Sequence, residues 1–153
     1  MDELIEKAYK KSRFYYYTIF AKALFFALIG YMFNMQYPGL LYFSDNTITI
    51  ISSFAYVYLL SSIPFALWWY SKKIAVVATI ENTDERYAKY MYWVLFRQIV
   101  IGASFVGNII LLYLLHSNSF LYAAAIGAVG MIFCKPNKNS IERELNPIVE
   151  IED

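Results

Sequence analysis

Two charged side chains stand inside otherwise apolar stretches, Lys22 within Phe14 to Met35 and Arg97 within Met91 to Leu115. A charge at bilayer depth costs several kcal/mol unless it is paired or hydrated. Such a cation therefore either runs its head out to the lipid headgroups or holds an anion. Lys22 lies about 12 Å along the helix axis from Phe14, within reach of the headgroups. Gln98 follows Arg97, and tyrosine hydroxyls nearby would complete a basic inner vestibule for an anionic group. Lys22, Arg97 and Gln98 are thus the candidate contacts for an anion or an anionic lipid headgroup.

The remaining chemistry is sparse. No Asp or Glu falls inside any apolar stretch, whereas carriers driven by protons or sodium hold their coupling cation on an embedded carboxylate. One histidine, His116, and one cysteine, Cys134, cannot assemble a zinc site, a bis-histidine haem or a Cys–His nucleophile pair. His116 is expected to be solvated in a turn, and Cys134 to be a small packing residue. No phosphate-cradling glycine loop and no hydrolase or protease motif is present. The expectation is a chain without catalytic residues, cofactor or metal.

The elements that must carry these residues follow from apolar run lengths. Hydrophobic residues make up 59% and charged residues 16% of 153 residues, against roughly 45–50% and about 25% in soluble chains. A bilayer core about 30 Å thick takes about 20 residues of helix. Four stretches are read as spans: 14–35, 47–70, 91–115 and a shorter one at 119–134. The first is too long for a cleavable signal peptide, and IGYMFNMQ has no small-x-small site. Helices are expected to start near Asp2, at Asp45 or Asn46, near Asp84 after an Asn82-x-x-Glu85 box, and at Asn139. They should stop at Pro38-Gly39, at the His116-Ser117-Asn118 turn, at Lys135-Pro136 and before Pro147. Ile74 to Ile80 is too short to span and is either a helical extension or an interfacial segment. The four-span size is similar to that of the small multidrug carriers, but their essential first-span Glu is missing and Lys22 stands in that span, so the chain does not resemble that family.

Small residues provide packing signals. Ser119, Ala123, Gly127, Gly130 and Cys134 share one helix face, and Ala103 with Gly107 forms a small-xxx-small pair. Folding about Ser117 puts Gly107 level with Gly127, so a close contact is expected there, within the monomer or at a dimer seam. Pro64 removes a helical donor and should kink its helix. Asn34 and Asn108 are candidate interhelical hydrogen-bond formers.

Lys and Arg outside the spans precede the first (Lys7, Lys10, Lys11, Arg13), lie between the second and third (Lys72, Lys73, Arg86, Lys89), or follow the fourth (Lys135, Lys138, Arg143). Cations are retained on the cytoplasmic side during insertion. The reading is an all-α membrane protein forming a single domain. Four transmembrane helices make an antiparallel bundle with both termini inside and helices one to three extended into the cytoplasm. Residues 135–153 form a short cytoplasmic tail whose acidic end, Glu150 to Asp153, is loose. Abundant Tyr, Phe, Ile, Asn and Lys resemble low-GC bacterial composition, which makes the bacterial inner membrane the expected location. A net charge of +1 gives no field for nucleic acid. Expected partners are the bilayer, anionic headgroups, and a membrane-protein partner or a second copy. The expected role is a non-catalytic accessory or assembly subunit; the alternative is a small oligomeric transporter or pore.

Overall fold

The structure, a computed structural model, describes residues 2–37 and 42–145. Five helices follow one another: α1 (Asp2–Gln36), α2 (Asp45–Ala78), α3 (Thr83–Leu115), α4 (Ser119–Phe133) and α5 (Lys138–Leu145), with no strand among the described residues. The expected stops at Pro38-Gly39 and Pro147, and the acidic end, lie outside the described residues.

Three helices of 35, 34 and 33 residues are long and apolar enough to cross a membrane. At 1.5 Å per residue each runs about 50 Å, some 20 Å more than a hydrocarbon core. α4 has 15 residues and falls short of a full span by itself. Joined to α5 across a bend of 59° it supplies up to a fourth. The sequence of α5, KNSIEREL, is polar on one side, so the apolar contribution to any fourth span comes from α4.

The surplus length gathers at one end, here called the charged end. There Ile5 and Ala8 of α1, Tyr70, Ile74 and Val77 of α2, and Tyr90, Met91 and Val94 of α3 form a buried core with Ile141 and Leu145 of α5. Ile74 to Ala78 is therefore a helical extension of α2. The apolar pair Ile141 and Leu145, one helical turn apart, gives α5 a single sticky face. Glu6 of α1 bridges Lys138 of α5 at 3.3 Å and Lys10 at 3.3 Å. Arg86 donates from Nε to the Ile80 carbonyl (2.6 Å) and from a terminal nitrogen to the Leu145 carbonyl (3.0 Å). A cation at the last carbonyl of α5 satisfies a group that the helix leaves free.

α1, α3 and α4 start as expected, at Asp2, behind an Asn82 cap and at Ser119, and the starts of α2 and α5 differ from expectation by a residue or two. Ser44 caps α2, its hydroxyl accepting from the Thr47 N–H, because a hydroxyl before Asp45 reaches that donor first. Asn82 caps α3 by accepting from Asp84 and Glu85 N–H at 3.0 and 3.3 Å, which starts the helix at Thr83. Asn137, not Asn139, opens α5; its side chain accepts from the Asn139 N–H at 3.1 Å, and Asn139 lies inside the first turn. α2 continues through Pro64 as one helix, with Pro64 on an exposed face.

α3 is the hub. It packs against each of the other helices, whereas α1 lies against α3 and α5 and makes no close backbone approach to α2 or α4. α1 to α4 therefore do not close a ring around a shared axis. A second core, containing Tyr16, Ala66, Ile101, Phe105, Ala124 and Met131, fills the middle of the molecule. Outside it, α1 and α2 expose large apolar side chains such as Leu24, Phe25, Leu28, Met32, Phe54 and Leu60, the surface a lipid solvent would wet. At the far end Asn34 of α1 meets His116 Nε2 at 2.8 Å. His116 ends α3 in the left-handed region, φ 51°, a conformation costly for a residue with a Cβ; the contact with Asn34 helps hold it there.

Candidate functional site

Successive residues on a helix point about 100° apart, and on the hub helix that sends neighbours to different partners. Arg97 turns toward α2, where its guanidinium lies 3.8 Å from the centre of the Tyr70 ring. Gln98 turns toward α1 and α4, and its Nε2 donates to the carbonyls of Ser12 (3.3 Å) and Cys134 (3.5 Å). Gln98 is fully buried. With both carbonyls accepting from the amide nitrogen, the orientation of the amide is fixed, because the opposite one would set oxygen against oxygen. Its Oε1 is left buried without a hydrogen-bond partner, as is Arg97 Nε.

Tyr90 stands seven residues before Arg97, two turns along the same side of α3. Its hydroxyl and that of Tyr70 both donate to one oxygen of Glu144, Oε2, at 2.8 and 2.7 Å. These groups surround a polar cavity of about 120 Å³ lined by Ser12, Tyr70, Tyr90, Arg97, Gln98 and Glu144 together with the α4–α5 turn. Arg97 has no carboxylate within ion-pair distance among the described residues. Two aromatic hydroxyls holding one carboxylate, a stacked guanidinium and a buried amide form a binding surface. No nucleophile–base pair is among them.

Of the three residues read as anion contacts, the structure brings Arg97 and Gln98 together in this cavity. Lys22 is exposed on α1 and lines no part of it. Sequence reasoning missed Glu144 and the whole of α5 as a wall of the site. The signal was present: Ile141 and Leu145 mark a buried face, and Glu144 precedes Leu145.

The small-residue positions divide in two. A Cβ on Gly127 would meet the backbone of Phe105, 3.0 Å from its Cα, and one on Gly130 would meet Ile63 and Ile101. Ala123 is fully buried. The expected close contact of α3 with α4 forms at Gly127, but through Phe105; Gly107 has open space where its Cβ would be and takes no part in it. Phe105 and Gly107 are two residues apart, about 200° around α3, so the face that meets α4 is nearly opposite Gly107. Gly107, exposed Ala103 and buried Ser104 and Asn108 instead border an open groove of about 340 Å³ beside Phe54 and Tyr58 of α2. Asn108 donates to the Ser104 carbonyl of its own helix at 2.7 Å rather than across helices. Its Oδ1 and the Ser104 Oγ are buried and unpartnered. Two close approaches went unread in the sequence: Gly102 under Ile19 and Gly30 under Tyr113, which seat α1 on α3. Set against protein-family models, curated proteins and solved structures, the chain matches none.

Proposed function

We propose that this chain is a non-catalytic integral membrane protein of the bacterial inner membrane, an accessory or assembly subunit acting through helix packing and its charged surface. In this reading α1 to α4 cross the bilayer as an antiparallel set. The charged end, with both termini, faces the cytoplasm. The placement of 11 of the 13 Lys and Arg residues outside the spans and toward that end supports the orientation.

One observation carries the functional reading. The groove between α2 and α3 presents Ala103 and Gly107 with nothing above Gly107, and flanks them with the orphaned Ser104 Oγ and Asn108 Oδ1. In lipid, where apolar burial gives no drive, small residues that admit a close backbone and polar atoms that lack partners are what draws helices together. The groove fits one helix of a partner membrane protein with a hydrogen-bond donor at that depth.

The test is extraction from native membranes in mild detergent followed by native mass analysis, with wild type beside Gly107→Leu. A hetero-complex lost in the variant while the monomer stays folded is the expected result. Wild type and variant both migrating as bare monomers would sink the proposal. The polar cavity at Arg97 favours a second reading, an oligomeric transporter or pore with a basic inner vestibule. A discrete homo-oligomer that conducts in vesicles would select it.

A further inference from the structure

The cavity at the charged end combines groups that call for opposite partners. Arg97 offers a guanidinium whose Nε is buried without an acceptor, and no carboxylate approaches it within 4.0 Å among the described residues. Gln98, fully buried, offers Oε1 without a donor. Glu144 has one oxygen committed to Tyr70 and Tyr90, and a carboxylate accepts at both oxygens. A simple anion would satisfy Arg97 but leave Gln98 unanswered and would face the Glu144 carboxylate. A simple cation would do the reverse. A ligand bearing both signs meets all three groups.

The size and position narrow that ligand. A cavity of about 120 Å³ is several times the roughly 10–15 Å³ that holds one water on the same measure. It has room for a phosphoryl group and a two-carbon amine. It sits where α4 ends at Cys134 and the chain turns through Lys135 and Pro136, with exposed Phe133 and Lys135 on its lining. In the membrane reading above, on which this inference rests for depth alone, that is headgroup level.

We propose that the cavity between α3, α5 and the α4–α5 turn binds an aminoalkyl phosphate, the phosphoryl group on Arg97 and the primary ammonium on Gln98 Oε1 and Glu144. The ligand is either the ethanolamine head of a zwitterionic phospholipid or the free compound. Bidentate guanidinium–phosphate pairing supplies strength. The requirement for N–H donors supplies selectivity, because a trimethylated ammonium has none to give.

Two assays on the purified protein separate the sources. Native mass spectrometry after equilibration with equal amounts of phosphatidylethanolamine and phosphatidylcholine should show the first retained about ten-fold or more over the second, the worth of one charge-assisted hydrogen bond. Calorimetry with O-phosphoethanolamine, beside inorganic phosphate, reads the free source. Success in either assay upholds the site and names its source. Arg97→Gln should abolish retention, while Lys22→Gln, a cation on an exposed face, should leave it unchanged. Equal retention of the two lipids with no calorimetric signal would overturn the proposal. So would inorganic phosphate binding as well as the amine, or equal loss in Lys22→Gln. The lipid preference of the wild-type chain decides the question even if Arg97→Gln fails to fold. It does so whether or not the α2–α3 groove has a partner, so the two proposals fail separately.

Discussion

The two sides of α3 carry the same kind of residue and put it to opposite use. Toward α4, Ile101 and Phe105 press onto Gly130 and Gly127, and the backbone of Phe105 stands where a Gly127 side chain would begin. Toward α2, Ala103 and Gly107 border an open groove, and a Cβ on Gly107 would meet nothing within 4 Å. Small residues in a membrane helix therefore mark where a backbone is able to approach. Whether one does depends on which side of the helix its own chain fills.

Substitution separates the two sides most strongly at Gly127. Gly127→Leu is expected to leave no folded monomer in detergent, because the obstacle is backbone and cannot swing aside. Gly127→Ala should cost about 1–3 kcal/mol, the usual penalty of overpacking, read by denaturant titration of helicity. Gly30→Ala comes next. Its Cβ would fall 2.5 Å from the Tyr113 ring, and a side chain is able to turn, so a loss of about 1 kcal/mol is expected. Pairing the change with Tyr113→Ala should remove most of that added cost, as a double-mutant cycle would show. At the charged end, Glu144→Leu strands two tyrosine hydroxyls. It should loosen α5 by about 1–3 kcal/mol, measured as faster amide exchange over 138–145. If exchange there is unchanged, α5 is held by Ile141 and Leu145 alone.

The smallest effects bracket the open side. Gly107→Ala meets no atom within 4 Å and should leave the isolated chain unchanged or up to about 1 kcal/mol more stable than wild type. A large loss would mean that the groove closes in the folded monomer. Acidification tests the polar tether of α5. Hydrogen bonds from Lys138 and then Lys10 hold the Glu6 carboxyl below the usual carboxylate range. A lowered folded value means the tether contributes above the ordinary Glu range and fades as pH falls through the lowered value. The pair is exposed, so salt should weaken it equally. The readout is susceptibility of α5 to an acid-active protease below the ordinary Glu range, with Glu6→Gln insensitive to the change.

How much of this was legible in the sequence depends on the kind of information each feature needs. Run length is one-dimensional, so the three apolar helices and the short fourth could be read from where Phe14, Thr47, Met91 and Ser119 begin their stretches. Depth can also be counted, and for that reason Gly107 and Gly127 looked like partners. Azimuth cannot be counted from a turn. The 200° between Phe105 and Gly107 decides the contact, and it is set by which side of α3 receives α1 through Gly30 and Gly102. Arg97 and Gln98 were conspicuous because polar groups in an apolar run are expensive. Glu144 was not, because a carboxylate among Lys138, Glu142 and Arg143 reads as a solvated tail until α5 is seen lying on Tyr70 and Tyr90. Caps were near-misses because Ser44 and Asp45, or Asn137 and Asn139, offer similar oxygens within one turn.

The hub position of α3 also sets a timetable. In the membrane reading the helices enter the bilayer in chain order, and α1 and α2 make no close backbone approach to each other. Each must wait in lipid as a solitary helix until the ribosome has delivered α3, the first element either of them can bind. Before then the nascent chain is two unassembled anchors. After Leu115 emerges, α1 and α2 have a common partner at once, and α4 and α5 arrive last to close the interior and the charged end. A chain cut short after α2 would thus be inserted but unassembled, a substrate for membrane proteolysis, whereas one cut after α3 would already hold about half of its helix contacts.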